Sequence, residues 1–149
     1  MRDDWVDMVR SNSRPSLQLL WGAFSVQVAG RLLDFWWHAT HDEFETGGDQ
    51  LQAHWLVWIG TVLVLGVGVS ALRAGVTGPE RAGYVTVVVA NALYVPIAVA
   101  HFIQHMNREE VDWAHAGLGI TNVVAALGVL YVAYVSLRGR RAETEQGEG

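Results

Sequence analysis

The chain contains no cysteine. That excludes disulfides, thiolate-bound zinc, iron–sulfur clusters and thiol catalysis, and it leaves the redox compartment open. Lysine is missing too: all 10 basic residues are arginine, set against 15 acids for a formal charge of −5. So small a basic complement offers no face for nucleic acid. Charge of either sign is scarce, at 17% of 149 residues, where soluble domains carry about 25%. An ordinary soluble domain is therefore a poor description. The motifs of common soluble enzymes are also missing, with no phosphate-binding glycine loop, no G-x-S-x-G and no H-E-x-x-H.

What is abundant is apolar. Hydrophobic residues make up 51% of the chain, and the few charges are bunched. No Asp, Glu, Lys or Arg occurs from Leu51 to Leu72, from Ala82 to Asn107 or from Trp113 to Leu137. About 20 apolar residues cross the hydrocarbon core of a bilayer as a helix. A fourth run from Pro15 to His38 starts in the same way and then takes in Arg31 and Asp34. The sequence thus predicts an all-α fold: an integral membrane four-helix up-down bundle over residues 15–137. Its spans fall at about 15–38, 51–72, 82–105 and 113–137. Residues 1–14 read as an interfacial segment and 138–149 as a disordered polar tail.

The connections between spans are short, so neighbouring helices should be antiparallel. Gly75, Gly78 and Pro79 supply turn chemistry in the middle one. All the arginines outside the spans except Arg108 fall on one side, which predicts cytoplasmic termini and two outward loops, 1–2 and 3–4. Trp5, Trp36, Trp37, Trp55 and Trp113 lie near helix ends, where an amphipathic ring prefers the membrane interface. Small residues at four-residue spacing, Gly66/Ser70/Ala74 and Gly117/Thr121/Ala125, predict where helices approach closely.

The chemistry gathers at one end. All 6 histidines (His38, His41, His54, His101, His105 and His115) belong to the ends of spans 1 and 3 or the starts of spans 2 and 4. In an up-down bundle those ends share one depth. Arg31, Asp34, His38 and His41 fall on one face of the first helix, and Asn91, Tyr94, His101 and His105 on one face of the third. Gln50, His54 and Thr61 line the second helix; His115 and Asn122 line the fourth. Polar groups within a membrane cost about 2–3 kcal/mol each even on lenient scales, so such stripes must face inward and find partners. Asp34-x-x-x-His38 and His101-x-x-x-His105 each put two donors one turn apart, the spacing by which a helix chelates an ion.

The candidate metal ligands are therefore Asp34, His38, His41, His54, His101, His105 and His115. Imidazoles with a carboxylate suit copper, iron or zinc. Seven donors exceed one tetrahedral shell, leaving room for two ions or for one ion with outer partners. Acids in the outer loops, among them Asp42, Glu43, Glu45, Asp49, Glu109, Glu110 and Asp112, form a rim that attracts cations. Arg31 and Tyr94 are candidate cofactor-binding residues, with Arg31 placed to pair with Asp34 or to hold an anionic group. The first two and the last two helices repeat one pattern, paired donors followed by a lone histidine, as two packed hairpins would.

Asp34, His38 and His54 together resemble a metal motif of the copper membrane monooxygenases, the particulate methane and ammonia monooxygenases. In a membrane-embedded part of those enzymes an Asp and a His one turn apart, with a His from the next helix, hold copper. The resemblance implies that Asp34, His38 and His54 are ligands, and it does not extend to the oxidation reaction. Three functions stay open on sequence. One is a multi-pass cell-membrane metalloprotein with its site near the extracytoplasmic face, either redox-active or part of a larger membrane complex. Another is a b-type haem carrier working with quinone, Arg31 serving a haem propionate. The last is a non-catalytic membrane component or a proton or ion relay along the polar stripes. The lipid bilayer is the expected partner, with further copies or other membrane proteins of a shared complex, and nucleic acid is not.

Overall fold

The structure, a computed structural model, describes the backbone of residues 3–40, 47–107 and 112–147. Side-chain surroundings are described for 17–40, 54–104, 106–107 and 112–140. The chain folds as four helices with no strand among the described residues: α1 (Asp3–Thr40), α2 (Gly47–Arg73), α3 (Gly78–Met106) and α4 (Asp112–Gly147). The helices alternate in direction and pack as two hairpins. α1 lies along α2 and α3 along α4, while the α2–α3 seam is looser and α1 barely meets α4.

Two helices run past the expected span ends. α1 is one helix from Asp3, uninterrupted at Pro15. No glycine precedes Gly22 to break it. α4 runs on to Gly147. The Arg-, Ala-, Glu- and Gln-rich composition there favours helix even without a core to pack on.

Among the described residues, three helices are long and apolar enough to cross a membrane: His54–Arg73, Gly78–Gln104 and Asp112–Arg140. α1 is not among them, because its polar residues lower its hydropathy. Gln27, Arg31 and Asp34 point inward. Gln27 is only 2% exposed, whereas the apolar Leu19, Leu32 and Phe35 are 61%, 66% and 75% exposed. An apolar exterior around a partly polar interior is the reverse of a soluble bundle. The rings of Trp36, Trp55 and Trp113 stand exposed near the ends of their helices, at the histidine-bearing end.

The α2–α3 turn is specified locally. Gly75 adopts a positive φ of 84°. Its N–H reaches the Leu72 carbonyl at 3.2 Å, and the Val76 N–H reaches the Ala71 carbonyl at 3.3 Å. This paired bonding closes a helix with a left-handed glycine just past its end. Val76 then packs on the cluster that contains Ala71, and Pro79 enters α3 in its first turn, where no N–H is needed.

The interior is layered. At the α2–α3 turn end, Leu17, Leu20, Val64, Tyr84, Val87, Val129 and Val132 form the larger apolar cluster. At the other end Val57, Tyr94, Ala98 and Leu118 form a smaller one, with Trp58 and Ile97 against it. Between them lies a buried polar knot, in which Gln27 Nε2 donates to Thr61 Oγ1 at 3.1 Å and to Asn91 Oδ1 at 2.8 Å. Thr61 and Asn91 then donate to their own helices, at the Val57 and Val87 carbonyls. Gln27 thereby ties α1 to α2 and α3 at mid-depth.

The close approach of α1 to α2 is not at the expected small-residue stripe. Gly66 faces open space. The tight crossing is at Gly30, where a Cβ would lie 2.6 Å from the Val57 nitrogen, and at Gly60, where it would strike the Gln27 backbone. In the other stripe, Gly117 touches only the Ile97 side chain, at 3.2 Å. Lone glycines facing backbone govern this seam rather than a four-residue repeat.

Candidate metal centre

The Gly30–Gly60 crossing sets the site. One turn beyond Gly30, α1 presents Asp34 and then His38; one turn before Val57, α2 presents His54. With the helix backbones so close, the three side chains meet. His54 Nε2 lies 3.1 Å and His38 Nε2 3.5 Å from the same carboxylate oxygen, Asp34 Oδ1. All three donors fit within a 4.8 Å spread, the one such group of three or more among the described residues. Asp34 Oδ1 is buried and has no hydrogen bond of acceptable geometry, although two imidazole nitrogens approach it. The His38 and His54 rings stand nearly perpendicular, with centroids 5.5 Å apart.

These separations suit an ion. Ligand arms of about 2.0–2.1 Å in a tetrahedron place donor atoms about 3.4 Å from one another. The observed 3.1 and 3.5 Å bracket that edge. The charge of an ion there would satisfy the carboxylate oxygen that the imidazoles leave without a good hydrogen bond.

The group opens on a cavity of about 210 Å³ walled by all four helices. His101 of α3 and His115 of α4 also line it, their rings 4.4 Å apart and steeply inclined. His101 is buried and His115 exposed. One imidazole from each helix thus reaches a single cavity, but only His38 and His54 stand with Asp34 in ligand range. The remaining histidines are not placed: His41 lies outside the described residues, and so does the side chain of His105. Of the acidic rim, Asp42, Glu43, Glu45, Glu109 and Glu110 also fall outside them.

Arg31 and Tyr94 line the same cavity. The Arg31 guanidinium stacks 4.5 Å above the Tyr94 ring. It approaches Asp34 Oδ2 at 3.7 Å and donates to Asn122 Oδ1 at 3.3 Å. Asn122 is anchored in turn, through Nδ2 to the Leu118 carbonyl at 2.7 Å. Arg31 therefore bridges α1 to α3 and α4, and it approaches the carboxylate oxygen that the imidazoles do not. Its pairing with Asp34 was expected from their spacing. Its contacts with Tyr94 and Asn122 required the fold.

Sequence reasoning passed over Gln27, which lies one turn from Arg31 on the same inward face and could have been read as the deep end of that stripe. It also passed over Trp58 and Phe102, which wall the cavity. Aromatic residues in an apolar span carry no periodic signal that separates a cavity wall from lipid contact. No protein-family model, curated protein or solved structure matches this chain.

Proposed function

We propose that this chain is a small multi-pass membrane metalloprotein that binds a transition metal through Asp34, His38 and His54. The observation that carries the reading is the approach of two imidazole nitrogens from two helices to one buried carboxylate oxygen, at tetrahedral-edge distances. A neutral imidazole pair with one carboxylate is a donor set for copper, iron or zinc. Three protein ligands leave a position open toward the cavity, as in catalytic rather than structural sites. Arg31 steadies the carboxylate at its other oxygen, as groups do that orient a ligand without touching the metal. The arginine distribution supports a site at the extracytoplasmic end in a cell membrane. The local resemblance to the copper membrane monooxygenases agrees with metal binding by a helix pair and assigns no reaction.

Haem is less well supported by this arrangement. Two axial imidazoles at about 2 Å from one iron hold ring centres roughly 6 Å apart, with the porphyrin between them. The His38/His54 and His101/His115 pairs stand closer, at 5.5 and 4.4 Å. A cavity of about 210 Å³ is also small beside the roughly 300–1,000 Å³ that larger organic ligands occupy.

Elemental analysis of detergent-purified protein tests the proposal. The expected result is about one transition-metal ion per chain, lost in Asp34→Ala and in the double variant His38→Ala with His54→Ala. A wild-type protein without a stoichiometric metal, after both purification and reconstitution with copper, iron and zinc salts, would overturn it.

A further inference from the structure

The charge balance of the cavity points beyond the metal. Among the described residues its lining contains one cation, Arg31, and one anion, Asp34, beside the imidazoles. A divalent ion held by Asp34 and two neutral imidazoles leaves the cavity with two positive charges in excess. In low-dielectric surroundings such an excess is costly unless an anion joins it. The arginine has capacity for that anion. Its guanidinium offers five N–H donors, of which one bonds Asn122 at 3.3 Å and another approaches Asp34 Oδ2 at 3.7 Å, while its Nε is buried without a partner. Its side chain is a quarter exposed, where it forms part of the cavity wall.

We infer, building on the metal reading above, that the loaded cavity binds a small planar oxyanion. One oxygen takes the open metal position, and the carboxylate-like edge meets the Arg31 guanidinium. A planar guanidinium recognises such an edge with two parallel N–H donors. The stack on Tyr94 and the bond to Asn122 hold that plane from α3 and α4, so ligand binding joins both hairpins. Trp58 and Phe102 restrict the space to a small ligand. A short carboxylate and dissolved hydrogencarbonate share this chemistry.

The test uses the full chain in detergent at saturating cobalt(II), so that changes in metal affinity do not enter. Formate and hydrogencarbonate are titrated separately in chloride-free buffer, with formamide as the neutral control, and the visible cobalt bands are followed. The expected result is a saturable change with one or both anions and none with formamide, the tighter anion identifying the source. Arg31→Gln should weaken that binding at least about tenfold, the weight of a charge-assisted hydrogen bond, and Arg31→Lys less. Should Arg31→Gln fail to fold, Asn122→Ala, which frees the guanidinium from α4, is expected to weaken it about threefold or more. Cobalt bands that ignore both anions, or variants that bind them as the wild type does, would overturn this inference and leave the metal site standing. Failure of cobalt to bind at all would remove the metal reading, and this inference with it.

Discussion

Replacing Gly30 by alanine tests whether the helix crossing builds the site. The added Cβ would lie 2.6 Å from the Val57 nitrogen, 2.8 Å from the Leu56 carbonyl carbon and 2.9 Å from the Val57 Cα. These are backbone atoms and cannot rotate away. Reaching ordinary contact at 3.4 Å requires α1 and α2 to part by about 0.8 Å. Overpacking of this kind costs about 1–3 kcal/mol. The same displacement acts on Asp34 and His54, one turn away on either helix, and would stretch their 3.1 Å separation toward 4 Å. Metal affinity should fall by about 10–100-fold, as when the support of a ligand is lost. Gly66→Ala is the control, since nothing lies within 4 Å of its added methyl. It should leave metal binding intact and gain up to about 1 kcal/mol of helix stability. Thermal unfolding in detergent by circular dichroism, with a metal titration on each variant, measures both effects. A Gly30→Ala protein that melts and binds metal like the wild type would refute the claim that this crossing positions the donors.

Two further predictions concern the polar interior. Asp34→Leu leaves the Arg31 charge without its carboxylate and should destabilise the apoprotein by about 2–3 kcal/mol, less than for a fully buried pair because both side chains keep some exposure. Arg31→Met with Asp34→Leu should recover most of that loss in denaturation midpoints while binding no metal; a double variant as unstable as the single one would contradict it. Gln27→Leu removes the donor to Thr61 and Asn91, and should cost about 0.6–1.7 kcal/mol, the measured range for hydrogen bonds between membrane helices. A double-mutant cycle with Asn91→Leu checks this, and a coupling near zero would show that the knot does not join α1 to α3.

Much of this architecture is legible in the residues. Charge-free runs of span length fix α2, α3 and α4, and short loops force their ends to common depths, so histidines near those ends must share a level. The helical period then puts Asp34 and His38 on one face. What escapes such reading depends on rotation about each helix axis and on side-chain volume across a seam. Gly30 and Gly60 are single glycines among many, and only the packed backbones distinguish them from Gly66, which faces open space. Equal depth likewise cannot separate His54, within 3.1 Å of Asp34, from His101, which pairs with His115 across the same cavity. The polar residues of α1 lower its hydropathy below that of its neighbours because its interior face serves Gln27, Arg31 and Asp34. The helix with the weakest membrane signal therefore carries two of the three proposed ligands.

X-ray absorption at the metal edge of the reconstituted protein addresses the proposed centre most directly. The expected spectrum has only nitrogen and oxygen neighbours at about 2.0–2.2 Å, with outer-shell scattering from two imidazoles. It should drop to one imidazole in His54→Ala. A spectrum without imidazole scattering, or one unchanged by that substitution, would contradict the assignment of Asp34, His38 and His54 as the metal ligands.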